Sequence, residues 1–417
     1  MKQHRWLKII LLCLLTMGLA GCWDKQELNE KAFVIGIGLD KDEEEGKVKV
    51  TYLITNPEAG AQQAGGTTKE PPQEIISLVA DDFISSRDTA NAIVAKSISY
   101  NLLSVLIVSE DLARDPNFIR LIYSAAKDRE IKRSLKIIVT KEKAEAFINN
   151  NKPKLETRPD NYFGLIINRG QKIGMIPDAN LKSFFTDTEG DADFFLAIYA
   201  TTDKEQRDKE NTSDDNLIAG EIKEEGTSNN TEMIGSAVFS QGQMIGKMTG
   251  EETRISSLLD DTWNAVDILT AYPDPFDERY RLTVRMSKQK NNTYKLTNDY
   301  GRPHFEITVP LYIEVLSDPS MVNYAGNKQK VVKLKQYLTD NIEKKMQQFI
   351  EKTQKEFKGD TFHLSVPFRK HFATLGEFRD FDWMKTYPDA EVNVKVEIHF
   401  GEFGRQTKLP KLKEVRD

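Results

Sequence analysis

The chain has 417 residues, with 58 Lys and Arg against 64 Asp and Glu, a formal net charge of −6 and 39% hydrophobic residues. An acidic chain without a Lys/Arg stripe or interleaved aromatics is not built to hold nucleic acid, and it gains nothing electrostatically from an acidic membrane surface. Only two cysteines are present, so a disulfide framework is excluded, and the length suits two or three domains held by their own cores.

The N-terminus reads as an export signal. Lys2, Arg5 and Lys8 supply the positive start, Leu7 with Ile9 to Leu15 the apolar run, and Leu19-Ala20-Gly21-Cys22 the small-residue cleavage point. The run is well short of the ~20 residues a spanning helix needs. Residues 1–21 are expected to be removed, taking Cys13 with them, and Cys22 is expected to carry an S-diacylglyceryl group, its freed amino group also being open to acylation. Only a thiol serves here, because a thiolate is the nucleophile that takes the lipid. Two acyl chains anchor a protein stably, at about 0.8 kcal/mol per buried CH₂.

Beyond the signal, Phe33, Ile35, Ile37 and Leu39 alternate, as do Val48, Val50, Tyr52 and Ile54, which predicts a hairpin around the acidic turn 40–46. Residues 56–73 are too polar to pack and read as an exposed loop. A strand over 74–80, a helix over 82–96, a buried run over 102–108, a helix over 116–127, a strand over 134–140 and a helix over 143–149 follow. Strands alternating with helices after a hairpin imply a mixed sheet with an α layer. From 151 to about 272 the pattern is less regular, with a helix over 180–185, a strand over 194–200 and a hairpin from 233–239 and 243–248. Residues 202–231 are almost wholly polar and predict a solvated insertion.

The last region has three alternating strands, marked by Tyr280 to Met286, Phe305 to Val315 and Val392 to Phe400. Between the second and third, a helix over 329–357 carries Val331, Leu334, Leu338, Ile342, Met346, Phe349, Ile350 and Phe357 at three- and four-residue steps. That stripe is expected to cover its own sheet. The expected architecture is α+β, with three mixed domains at 22–150, 151–270 (insertion 202–231) and 271–417, the last a β-rich sheet under one long helix.

A catalytic set does not emerge. His304, His363, His371 and His399 form no HExxH and have no nearby cysteine, so neither a metal nor a cofactor is expected. Neither a GxSxG elbow nor a phosphate loop occurs, and Gly36-Ile37-Gly38 reads as small residues on a crowded strand. Of the carboxylate pairs, Asp82 is placed to cap a helix, and Asp260-Asp261 is expected in a solvated turn. Trp263, Trp383 and Tyr387 are expected to be core or interface aromatics. No catalytic residue is assigned.

Taken in order, Cys22-Trp23-Asp24-Lys25-Gln26-Glu27-Leu28, the strand 32–40, LSVLIVSEDLA (103–113), KDREIKRSLKIIVTK (127–141), GSAVFSQGQMIGKMTGEET (235–253) and the closing strand, long helix and strand to Gly404 resemble the Ger(x)C spore germination lipoproteins. These are the C subunits of GerA-type germinant receptors. Lys127, where that pattern has Arg, and the very polar 202–231 depart from it. The resemblance implies three mixed α/β domains anchored on the outer face of the spore inner membrane. It also implies companion A and B subunits, a response to small nutrients and no enzymatic activity. Direct nutrient binding by this subunit is not expected. Rival readings are a substrate-binding lipoprotein of a transporter, with two repeated lobes, and a surface-anchored hydrolase.

Overall fold

A computed structural model of the protein describes residues 30–55, 73–190, 192–204, 215–223, 225–227, 229–262, 265–299 and 302–403. The opening hairpin forms from β1 (Lys31–Lys41) and β2 (Val48–Thr55), antiparallel with Ile37 opposite Tyr52, and β3 (Gln73–Ala80) adds to β2. The helix expected over 82–96 shrinks to α1 (Ser86–Asn91). Asp82 Oδ1 does cap its entry, accepting from the N–H groups of Ile84 and Ser85. The chain leaves the helix early because β4 (Ser97–Ser99) must pair with β1, and the β-branched pair Ile93-Val94 favours the exit.

There follow β5 (Val105–Ser109), α2 (Glu110–Ala113), α3 (Phe118–Ala125), β6 (Lys136–Thr140), α4 (Ala144–Asn150), α5 (Pro159–Lys172), α6 (Leu181–Gly190), β7 (Phe195–Thr201), β8 (Glu232–Ser240), β9 (Gln243–Met248) and α7 (Gly250–Leu259). All nine strands form one sheet in the order β3-β2-β1-β5-β6-β7-β8-β9, with β4 beside β1. Its centre is parallel and its ends antiparallel. The division expected at residue 150 falls between β6 and β7, which pair in parallel within this sheet. Helix α5 was not legible in the sequence, because only Pro159, Phe163 and Ile167 face inward and Gly164 and Gly170 interrupt the pattern.

A second, five-stranded sheet comprises β10 (Ile268–Asp274), β11 (Asp277–Ser287), β12 (Thr293–Asp299), β13 (Arg302–Ser317) and β14 (Glu391–Phe403). Strands β13 and β14 are parallel and so require a crossover, supplied by α8 (Lys328–Lys352) and the short α9 (Ser365–Arg369), α10 (Leu375–Phe381) and α11 (Trp383–Thr386). Leu334, Leu338, Ile342, Met346, Phe349 and Ile350 of α8 are all buried in this sheet's core, as the stripe predicts. Each such burial is worth roughly 1.5–3 kcal/mol. Beyond Lys352 the helix widens into a single π-turn, Thr353–Phe357.

The two cores meet across the first sheet. Phe195, Ala197 and Phe239 pack on one of its faces with the first core, while Phe194, Leu196, Val238 and Met248 point into the second. This two-sided burial explains why β7 and β8 are buried at nearly every position rather than at every other one. The described parts of 202–231 correct the expectation of a wholly solvated insertion. Ala219 N–H donates to Ile234 O, Leu217 O accepts from Gly250 N–H, and Asp215 is buried. Backbone and side-chain hydrogen bonds, with the ion pairs Arg254–Asp215 and Lys141–Asp203, hold this stretch where apolar surface is scarce.

Candidate functional site

Helix α7 is the joint between the two sheets, and its sequence dictates a well-made helix. Thr249 and Glu252 close a reciprocal capping box at its start, and Gly250 and Thr253 to Leu259 are all buried. Arg254 pairs with Asp215 at 2.8 Å and also donates to Ile173 O and Leu269 O. Glu251 and Glu252 reach across to Lys345 and Lys352 of α8. At the far end, the buried Lys288 ammonium donates to Leu258 O and Asp260 O and lies 3.0 Å from Asp261 Oδ1. A cation at a helix C-terminus satisfies carbonyls that the helix itself leaves open. Burial still holds the Lys288 pKa below its ordinary value, against the pull of Asp261 and Asp260.

Beside this joint runs a strap, residues 358–363, that belongs to the second sheet's crossover. Lys358 and His363 bracket it, each with a left-handed backbone (φ 58° and 52°). Such a conformation is uncommon outside glycine and persists only where surrounding contacts hold it. Gly359 passes so close to Phe194 that a Cβ would lie 2.2 Å from its ring. The strap is fastened by Phe194 N–H to Asp360 O at 2.9 Å and by Ser256 Oγ to Thr361 O at 2.8 Å.

Four carboxylates converge here on one histidine. His363 Nδ1 is 2.8 Å from Asp260 Oδ2, and Nε2 is 3.4 Å from Asp187 Oδ1 at the end of α6. A neutral imidazole has one N–H, so with both carboxylates ionised the two contacts are attractive only when the ring carries both protons. Burial works against that charge, but the hydrogen bonds to Asp187 and Asp260 and the nearby Asp193 outweigh it and hold the His363 pKa well above its ordinary value. Burial also raises Asp187, with His363 partly offsetting the rise. Asp193 accepts from Ser365 Oγ at 2.7 Å, while its Oδ1 has no partner among the described residues. Asp360 accepts from the N–H groups of Phe362 and Ser365. Burial pushes both carboxyls up, and the Asp193 charge drives Asp360 further. A cavity of about 370 Å³ opens at this cluster, with Lys182, Thr262 and Val366 among its walls.

The expectation that Asp260-Asp261 lies in a solvated turn is therefore corrected. Asp260 is fully buried as the cap of α7, because it accepts from Thr262 N–H and from His363. Its partners Asp187, Asp193 and Asp360 were not singled out in the sequence. Their signal was faint: an aspartate set directly against apolar residues, as in Asp193-Phe194-Phe195. The cluster has acid–base groups but no paired nucleophile, since Ser365 bonds to Asp193 and both His363 nitrogens face carboxylates. Among the described residues no three His, Cys, Asp or Glu side chains are placed to hold a metal ion.

The other sequence candidates do not join this site. Asp81 pairs with Lys47 on the surface, and Asp82 caps α1. A Cβ on Gly38 would strike Ile148 of α4 at 2.8 Å, so the crowded strand is real. Trp383 and Tyr387 are buried among Phe305, Phe362 and Phe368. His304 faces Glu391 across the strands, His371 packs on Phe368, and His399 is exposed. Cys22 and Trp263 lie outside the described residues. Among those residues no helix is long and apolar enough to cross a membrane.

Residues 24–201 match the family model described as the spore germination protein N-terminal domain, and 234–404 match that described as spore germination B3/GerAC like, C-terminal. The chain is 20% identical to spore germination protein B3 of Bacillus subtilis (strain 168), over 95% of this chain and 99% of that protein. It is 26% identical to spore germination protein KC and 27% identical to spore germination protein A3 of the same organism. Those two alignments span 35% of this chain in each case, and only 36% and 39% of the relatives' own length. The crystal structure of the GerBC protein superposes with a TM-score of 0.52 at 16% identity, covering 90% of this chain and 99% of that one, and so shares its fold.

Proposed function

The chain belongs to the GerAC-like family of spore germination proteins, and from that premise we propose that it is a lipid-anchored, non-enzymatic subunit of a spore nutrient germinant receptor. In this reading it supports receptor assembly or passes the signal onward, held by Cys22 to the outer face of the spore inner membrane beside A and B subunits. The observation that carries the proposal is the placement of the two family matches. They cover most of the chain in order, and the first begins at residue 24, two residues after Cys22. The site chemistry supports a non-catalytic role: the half-buried histidine and the buried carboxylates are bonded to one another and form no nucleophile–base pair.

The test is genetic and biochemical. Spores lacking this protein should lose the response to one group of nutrients while still germinating when triggered downstream of receptors. Affinity capture of the tagged protein from spore membranes should recover two multi-spanning subunits. Normal nutrient responses in the deletion strain, or saturable micromolar nutrient binding by the chain without companions, would favour the transporter reading instead.

A further inference from the structure

The strap at 358–363 fastens the second sheet's crossover to the first sheet at a point where one imidazole is wedged between carboxylates from two other elements. We propose that this is a proton-loaded clasp: the two layers close with His363 doubly protonated between Asp187 and Asp260, and they loosen when that proton leaves.

The clasp rests on hydrogen-bond chemistry. Asp187 sits at the end of α6, Asp260 at the cap of α7, and His363 on the strap, so the imidazole joins three elements. Loss of one ring proton turns one of its two carboxylate contacts into a lone pair facing an anion, in a site where His363 is about a fifth exposed and Asp260 is fully buried. No rearrangement of the ring satisfies both carboxylates with one proton.

The charges around the ring point the same way. Asp187 faces it from α6, Asp193 from the approach to β7, and Asp260 from α7. Asp360 lies on its own strap, and Asp178 and Lys182 stand further round the cavity wall. Asp261 is already engaged by Lys288. The surroundings of the ring are thus dominated by aspartates, with Lys182 the one cation on the cavity wall among the described residues. Asp193 and Asp360 also hold their protons more tightly when buried than when exposed, so closing the seam takes up protons at these carboxyls as well.

The sign follows from linkage. A histidine whose pKa is raised on closure contributes stability that is complete below its open-state value, near 6.5, and lost as pH climbs through its closed-state value. Between those values the closing equilibrium weakens about tenfold per pH unit. The raised carboxyls add a decline of the same direction that starts lower, near pH 4. The amides that report closure are those of Phe194, which donates to Asp360 O, and Phe362, which donates to Asp360 Oδ1.

The experiment uses the full chain, in which five histidines are present and His363→Asn assigns the relevant resonance. Asn tolerates the left-handed backbone that His363 adopts. The His363 ring should titrate above 6.5 by NMR. Hydrogen-exchange protection factors at Phe194 and Phe362 should fall about tenfold per pH unit above that value in the wild type. In His363→Asn, protection should already be low at pH 6 and should fall less steeply than in the wild type between pH 6.5 and 9, leaving only the decline the carboxyls contribute. A ring that titrates at or below 6.5 would overturn the proposal, and so would an unchanged pH response in the variant. Should His363→Asn not fold, Asp187→Asn serves: it must lower the His363 pKa, and an unmoved value overturns the clasp.

Discussion

His363 Nδ1 stands 2.8 Å from Asp260 Oδ2, a contact between residues 103 positions apart that ties the strap to the end of α7. Because Asp260 is fully buried, its removal leaves a half-buried imidazolium with one long contact. Asp260→Ala is expected to destabilise the protein by about 3–5 kcal/mol, the cost of breaking a buried ion pair from one side. Urea unfolding at pH 6 measures this. A change within about 0.5 kcal/mol, as for an ordinary surface site, would show that the contact is idle.

The Arg254–Asp215 pair makes a separate prediction about the polar stretch after β7. Both side chains are almost wholly buried, so Asp215→Leu alone leaves an unpaired guanidinium and should cost about 3–5 kcal/mol. Combining it with Arg254→Met should recover most of that loss, since replacing both partners with apolar groups is often neutral. A double variant as unstable as the single one would show that the bonds from Arg254 to Ile173 O and Leu269 O matter more than the ion pair.

On α8, position decides outcome. Leu338→Asp puts a carboxylate into a fully buried site and is expected to cost several kcal/mol and to unfold the second sheet's core. Val332→Asp, on the outer face and 68% exposed, should change stability by less than about 0.5 kcal/mol. Circular dichroism with denaturant titration separates the two, and equal effects would contradict the assigned face.

Glu110 offers an acid-side test. It links α2 to the first sheet's edge by accepting from Tyr199 Oη at 2.7 Å and facing Arg114 and Lys247. Burial raises its pKa, but the Tyr199 and Arg114 hydrogen bonds and the Lys247 charge outweigh that and hold it below the usual glutamate value. A lowered pKa contributes stability that is present above the unfolded value, near 4.3, and lost as pH falls through the folded one. Glu110→Gln should therefore be less stable than wild type at pH 7, by roughly 1 kcal/mol, with the gap closing near pH 3. A gap that persists unchanged at pH 3 would mean the effect is not electrostatic.

For the proposed anchor, Cys22→Ala should leave an unlipidated precursor, because the other thiol, Cys13, lies inside the apolar run and away from the small-residue cleavage point. Mass spectrometry of the N-terminal peptide and membrane fractionation provide the measurement. Diacylglyceryl-modified protein recovered from the variant would refute the assignment.

Local pattern alone determined a good deal of this protein. Alternation placed the opening hairpin and the strands around Phe305 and Val392, and the three- and four-residue stripe placed α8 with its buried face, because those periodicities report directly which side of an element meets a core. Residue order likewise marked the family before any coordinates. Tertiary structure decided what pattern does not encode. Strands β6 and β7 zip one sheet across the expected boundary at 150, since parallel pairing joins segments that no short window relates. Helix α5 packs a stripe too thin to recognise. Asp187, Asp193, Asp260, Asp360 and His363 are scattered over 177 positions of a polar-looking sequence, and each alone reads as surface. Only the closing of one sheet against the other removes them from water, and burial is what converts ordinary charged residues into a coupled, proton-sensitive seam.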